Sequence, residues 1–332
     1  MNARRYAWLL IGCLMLSAAC SSTRDDTLDS SVALLDITPA HTSPTSSPSS
    51  AKCHRDYLAS LRPEGPPPAP NNLPAGSFMD NIRKRGYLIV GVDQNTKLLG
   101  YYNPNRKQFE GFDIDLAHEV AAAIFGADWM DRIHYVALLT DQRMSAVQEN
   151  KVDIVADAVT ITCKRTMQVA FSNIYFMGHE RVLVRLDSTA KVPKDLRGKT
   201  VCATSGSTAM DNVKKLPEVI PFPVSARTDC LVALQRGNVD GILTDDAILY
   251  GFLAQDPHTR LLDGNITNEP YGLAIAKNHP EFVRFVNAIL EQMRSNGRWT
   301  QIWKRWFGSV QIGGRPAKPP SQPSPNYKNE TG

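Results

Sequence analysis

Several classes of protein are excluded by what this sequence lacks. No Cys-x-x-Cys pair occurs among its six cysteines, which argues against a thiol redox site or a zinc ribbon. The seven histidines form no His-Glu-x-x-His, no Gly-x-Ser-x-Gly elbow is present, and no glycine-rich loop ends in Gly-Lys-Ser/Thr. Neither an enzyme, a bound cofactor nor a metal is therefore expected. Charge of one sign is also scarce: 37 Lys+Arg against 33 Asp+Glu leaves +4, with Arg4 and Arg5 in a segment read below as removed. A nearly neutral chain has no electrostatic pull toward nucleic acid. The apolar run from Tyr6 to Leu16 falls short of the ~20 residues that span a bilayer.

What is present describes an exported globular chain. At 332 residues with 42% hydrophobic and 21% charged side chains, there is room for about two domains plus excursions. The cationic start, the short apolar run and Ser17-Ala18-Ala19-Cys20 read as a secretion signal over residues 1–19. The end of that signal resembles a bacterial lipobox, with Ser17 where leucine is usual. Cys20 would then carry the lipid that anchors the protein outside the cytoplasm. Residues 20–52 are rich in Ser, Thr, Pro and Asp and read as a disordered tether. Residues 53–77 form an N-terminal extension whose Pro-rich stretch, Arg62 to Pro74, lies along the folded body, and 311–332 read as an unstructured tail. Removing Cys13 and Cys20 leaves Cys53, Cys163, Cys202 and Cys230, an even number suited to two disulfides. Three pairings are possible; the favoured one joins Cys202 to Cys230 and Cys53 to Cys163.

From Gly86 onward strands and helices alternate. Tyr87–Val92, Ile133–Ala137 and Val152–Ala156 read as strands, with helices over Phe112–Phe125 and Asp141–Asn150. The rhythm repeats after Thr200, through helices near Ala209 and from Cys230 to Arg236, to a strand at Val239–Leu243. Two α/β lobes follow from this. The aromatic residues Trp299, Trp303, Trp306 and Phe307 recur at spacings of three and four, which places them on one helix face packed on lobe one.

Nine segments then occur in order. They are Gly111-Phe-Asp-Ile-Asp-Leu-Ala117, Thr140-Asp-Gln-Arg143, Val159-Thr-Ile-Thr-Cys-Lys-Arg165, Phe171-Ser-Asn-Ile-Tyr175 and Asp195-Leu-Arg-Gly-Lys199, followed by Ser205-Gly-Ser-Thr208, Val239 to Asp245, Glu269-Pro-Tyr-Gly272 and Ile302 to Phe307. In this series the chain resembles the family 3 extracellular solute-binding proteins for amino acids, and most of all the actinobacterial glutamate/glutamine-binding lipoproteins of GlnH type. The resemblance implies an α/β, two-lobed periplasmic-binding-protein-like fold of type II. Two strands would cross between the lobes, near Val182–Arg185 and Pro270–Ile275, with lobe one at 78–184 and 270–310 and lobe two at 185–269. It also implies a monomer that closes on its ligand and presents it to a membrane permease or a transmembrane sensor.

An amino acid offers a carboxylate and an ammonium on one carbon, so its site needs a fixed cation and a fixed anion. Arg suits the carboxylate because its planar fork binds both oxygens. By the resemblance Arg165 is that cation, Ala158 and Thr160 line the cleft beside it, and Asp245 takes the ammonium. Gly206, Ser207 and Thr208 form a turn that closes on the ligand from lobe two. Thr140 and Arg143 place a further cation near the cleft, which points to glutamate or aspartate, with glutamine or asparagine as the alternative; a dehydratase on the same fold is a remoter one. Lys97 is another candidate cation.

Overall fold

The computed structural model describes residues 56–312 and 314–328. The expected leader, the tether, Cys20 and Cys53 lie outside those residues. Among the described residues no helix is long and apolar enough to cross a membrane.

The first helix, Phe78–Arg85, starts where the Ser77 side chain accepts the Asp80 amide and stops at Gly86 in the left-handed conformation. The strand Leu88–Val92 follows and becomes part of a five-stranded sheet in the order Ile133–Ala137, Leu88–Val92, Ile154–Val155, Ala274–Ile275, Ala170–Phe171. Alternation decides which face each residue buries: Val90 and Ile154 join one core with the helix Phe112–Phe125, whereas Ile89 and Val155 face Val147, Val159 and Phe171 on the other side. A second sheet, in the order Ile220–Val224, Thr200–Thr204, Gly241–Asp245, Phe176–Arg185, Thr259–Leu261, builds the other lobe. The same alternation operates there, with Val182 and Val184 facing Leu196 and Val213 while Leu183 faces Ile242 and Leu234. Trp299, Trp303 and Phe307 are buried in the first lobe's core, as their helical spacing suggested.

The crossing between lobes lies earlier than expected. Phe176–His179 pair antiparallel with Asn268–Tyr271, and this two-stranded link joins the sheets. Glu180–Leu183 already pair with Gly241–Asp245, and Leu183–Arg185 pair with Thr259–Leu261. The physical reason is the pairing: residues 182–185 are hydrogen-bonded to a strand on either side and bury consecutive apolar side chains on both faces, so they are a central strand of the second sheet. Ala274–Ile275, expected in the second crossing, sits in the middle of the first sheet.

The tail also departs from expectation. Residues 314–328 return along the body instead of being unstructured: Gln322 donates to Thr300 Oγ1 (3.0 Å), the Asn326 amide donates to Asn173 Oδ1 (3.1 Å), and Tyr327 bridges to Ser60. Ser60 is held in turn by the fully buried Asn287, whose Nδ2 donates to Ser60 Oγ (2.8 Å) and to the Leu61 carbonyl (2.7 Å). The segments around Ser60 and Tyr327 therefore share one anchoring point beside the helix Pro280–Ser295. The Pro-rich stretch lies along the body, with Arg284 donating to the Arg62 carbonyl (2.6 Å).

Candidate functional site

The site is assembled at the lobe junction from short segments that follow strands. Gly111 opens the helix Phe112–Phe125 at a φ of 140°, and a Cβ there would stand 2.0 Å from the Leu99 carbonyl oxygen, so only glycine permits this start. The start places Asp113 beneath the segment after strand Ile154–Val155. Its Oδ2 accepts the Ala158 amide (2.8 Å) and its Oδ1 accepts the Tyr175 hydroxyl (2.8 Å). Burial pushes the Asp113 carboxyl up to about 7, against the pull of the Tyr175 hydrogen bond. Ala158 itself holds a φ of 44°, a conformation an L-residue adopts at some cost. The Ala158 backbone is thus fixed from beneath, and with it the chain that leads to Thr160 and Arg165.

Arg165 belongs to a short helix, Cys163–Thr166, capped by Thr162, whose Oγ1 accepts the Arg165 amide (3.2 Å). Its guanidinium donates to the Thr160 carbonyl (2.8 Å) within lobe one and to the Gly206 carbonyl (3.2 Å) of lobe two. Burial pulls its pKa down while Asp245 and Glu269 pull it up; the net shift is downward. Asp245 ends the strand Gly241–Asp245, and its Oδ2 accepts the hydroxyl of Tyr271 (2.6 Å) from the interlobe strand. Burial first, and Glu269 next, raise the Asp245 carboxyl well above its usual range. Glu180 is held up at about 7 by burial and by Glu269. Glu180, Asp245 and Glu269 place oxygens within 4.8 Å of one another, so three carboxyl groups crowd this end of the site.

One small cavity between the lobes is lined by Arg143, Ala158, Thr160, Arg165, Ser207, Thr208 and Asp245, and also by Thr204, Arg227, Thr244 and Ile248. Thr140 and Gly206 line the adjoining mouth together with Thr160, Arg165 and Thr208. The lobes approach closely here: a Cβ on Gly206 would meet Asp141 Cβ at 2.8 Å. Ser207 caps the helix Thr208–Val213 by accepting the Met210 amide (3.0 Å), and Thr208 Oγ1 donates to Glu269 (3.0 Å). Lys97 is not brought to the cavity. It lies partly buried in a turn whose carbonyl packs against Gly251, where a Cβ would stand 2.4 Å away.

Arg143 reaches the cavity already occupied. Its Nε donates to the Thr140 carbonyl (2.8 Å), its Nη1 donates to the Asp157 carbonyl (2.9 Å), and Nε lies 3.7 Å from Asp157 Oδ2. Burial pushes its pKa down to about 9, which leaves it charged at neutral pH. Arg227 was not legible as a site residue. It opens a helix, Arg227–Gln235, that is fastened to lobe two by the Cys202–Cys230 disulfide. The nearness of Cys230 in sequence was the one available hint of its fixed position. Cys163 is also disulfide-bonded; its expected partner Cys53 lies outside the described residues. Asp246, beside Asp245, accepts the His179 amide (3.2 Å) and ties the interlobe strand to the second lobe.

Two mixed sheets joined by a two-stranded link, with a polar cavity at the junction, define a two-lobed binding-protein architecture. Residues 88–309 match the profile of the bacterial extracellular solute-binding proteins, family 3, and the chain belongs to that family. The ABC transporter glutamine-binding protein GlnH of Bacillus subtilis (strain 168) is 33% identical over 228 residues, covering 68% of this chain and 83% of that protein. Glutamate-binding protein GluB of Corynebacterium glutamicum is 31% identical over 240 residues, covering 69% of this chain and 81% of that protein. Among solved structures, a mutant of ArgBP from T. maritima superimposes with a TM-score of 0.63 at 30% identity, covering 69% of this chain and 98% of that one. An ancestral arginine-binding protein bound to glutamine gives 0.62 at 30% identity, covering 68% and 99%.

Proposed function

We propose that this protein captures a free amino acid with an uncharged amide side chain, of the glutamine class, between its lobes and presents it to a membrane ABC permease. The observation that carries the reading is the convergence of Arg165 from lobe one and Asp245 from lobe two on one cavity. Arg165 takes the ligand carboxylate through its planar fork, and Asp245 takes the ammonium, so a zwitterion bridges the lobes and stabilises their closed arrangement. Anchoring through Cys20 at the cell surface belongs to the same reading, with no chemistry performed on the ligand.

Charge supports the amide over the acid that the Thr140-x-x-Arg143 pattern suggested. Arg143 is engaged by Thr140 and Asp157, and the opposite end of the site carries Glu180 and Glu269 besides Asp245. A glutamate side chain would bring another negative charge into a site with none of its cations idle. The relatives named for glutamine and for glutamate binding are both compatible with an amino acid of this length.

Calorimetric titration with glutamine, asparagine, glutamate and aspartate tests the reading. Glutamine is expected to bind most tightly, and Arg165→Met to lose roughly 100-fold in affinity, as for a buried charge-assisted contact. Absence of binding by any of the twenty amino acids, or turnover of one of them, would reject it.

A further inference from the structure

Four charged side chains close on one another behind the cavity. Arg227 of lobe two reaches across to lobe one, where its Nη1 donates to Asp93 Oδ2 (3.0 Å), to Thr96 Oγ1 (3.2 Å) and to Asp157 Oδ1. Arg143 of lobe one comes to the same residue: it donates to the Asp157 carbonyl, and its Nε stands 3.7 Å from Oδ2, beyond hydrogen-bond reach. Asp93, Arg143, Asp157 and Arg227 are all more than nine-tenths buried. Asp157 Oδ2 is buried with no donor at all. The two guanidinium groups line the cavity, whereas the two carboxylates do not.

The set is therefore electrically balanced, with its positive members facing the ligand and its negative members behind them. Neutralising Arg165 and Asp245 with the two ends of a zwitterion leaves no net charge from these six groups for a side chain to meet. We propose that Asp157 is the specificity-determining residue of this site: by standing against one guanidinium from each lobe and, with Asp93, balancing their charge, it makes the closed cavity accept an uncharged side chain and reject a carboxylate. The inference rests on the amino-acid reading above and adds the residue that sets side-chain charge. Without Asp157, Arg227 would keep Asp93 while Arg143 would lose its one carboxylate neighbour, and the cavity wall would present an uncompensated positive charge. A buried charge that is not desolvated for nothing needs a counter-charge, and a ligand carboxylate would supply it.

The test is calorimetric titration of glutamine and glutamate against the mature wild-type chain, Asp157→Asn and Arg227→Gln. Asp157→Asn leaves the set positive and is expected to raise glutamate affinity relative to glutamine by about tenfold or more, the scale of one unit charge at short range in a partly buried site. Arg227→Gln leaves the set negative and is expected to move the same ratio about tenfold the other way. A shift below about threefold, or of the wrong sign, in either folded variant overturns the proposal. Arg227→Gln carries the test by itself if Asp157→Asn does not fold. Wild-type protein that binds no amino acid overturns the underlying reading and this proposal together, whereas wild-type binding with an unmoved ratio overturns this proposal alone.

Discussion

Replacing Tyr271 with phenylalanine removes one oxygen atom from the interlobe strand and tests how Asp245 is kept ready for an ammonium group. Tyr271 is fully buried, stacks on Phe176 with ring centroids 5.5 Å apart, and donates its hydroxyl to Asp245 Oδ2 at 2.6 Å. Phenylalanine preserves the stacking and the volume, so the perturbation is confined to the hydrogen bond. Asp245 already sits high because of burial and of Glu269, and the Tyr271 hydroxyl is the largest opposing influence. Its loss favours the protonated carboxyl, which no longer attracts an ammonium. A hydrogen bond to a charged group contributes ~1.5–3 kcal/mol, so affinity for the amino acid should fall roughly 10- to 100-fold at neutral pH. The fall should shrink as pH rises, because alkaline solution restores the carboxylate; titration calorimetry between pH 6 and 9 reads both effects. Unchanged affinity with an unchanged pH profile would refute the role given to this pair.

Three further outcomes follow from the geometry. Removing the Cys202–Cys230 bond, which closes a loop with a sequence separation of 28, should cost about 3.5 kcal/mol on the chain-entropy scale and lower the thermal midpoint by roughly 10 °C; scanning calorimetry of the Cys202→Ser/Cys230→Ser double variant against wild type checks it, since a reductant would also open the bond of Cys163. Asp113 and Glu180 both rise to about 7 in the folded state, above their ordinary values near 4, so the native chain holds protons that the unfolded chain releases. Stability of the ligand-free protein should accordingly be highest below pH 4 as far as these two groups decide it, and should decline as pH rises toward 7; denaturant titrations at several pH values would show the slope, and a rise over that window contradicts it. Gly206→Ala would place a Cβ 2.8 Å from Asp141 across the lobe interface, so the variant should remain more open with saturating glutamine than wild type does, as read by X-ray scattering.

The fold was legible wherever one physical signal decided the outcome. The helix Phe112–Phe125 and the strand Ile133–Ala137 were found at their observed bounds because periodicity and termini agree there. The crossing was misplaced because the apolar run at 182–184 says only that both faces are buried, and a central strand and a buried link share that property. The return of residues 314–328 depends on hydrogen bonds to Asn173, Thr300 and Ser60, contacts over long separations that leave no periodic trace in a Pro-rich stretch. In the site, Arg165 and Asp245 were recognisable from the segments that carry them. Lys97 was not excluded by its own sequence; that it packs its backbone on Gly251 and does not line the cavity is a matter of tertiary contacts. Arg227 and Asp157 were missed for a related reason: each looks like a solvated charge until the lobes are brought together, and their pairing exists only across that interface.

The most direct test is a crystal structure of this protein grown with glutamine. The ligand carboxylate is expected on the Arg165 guanidinium, the ammonium on Asp245, and the side-chain amide against the wall formed by Arg143 and Arg227. Glutamine found with its charged ends exchanged, or seated outside the cavity that Arg165 and Asp245 share, would contradict the account.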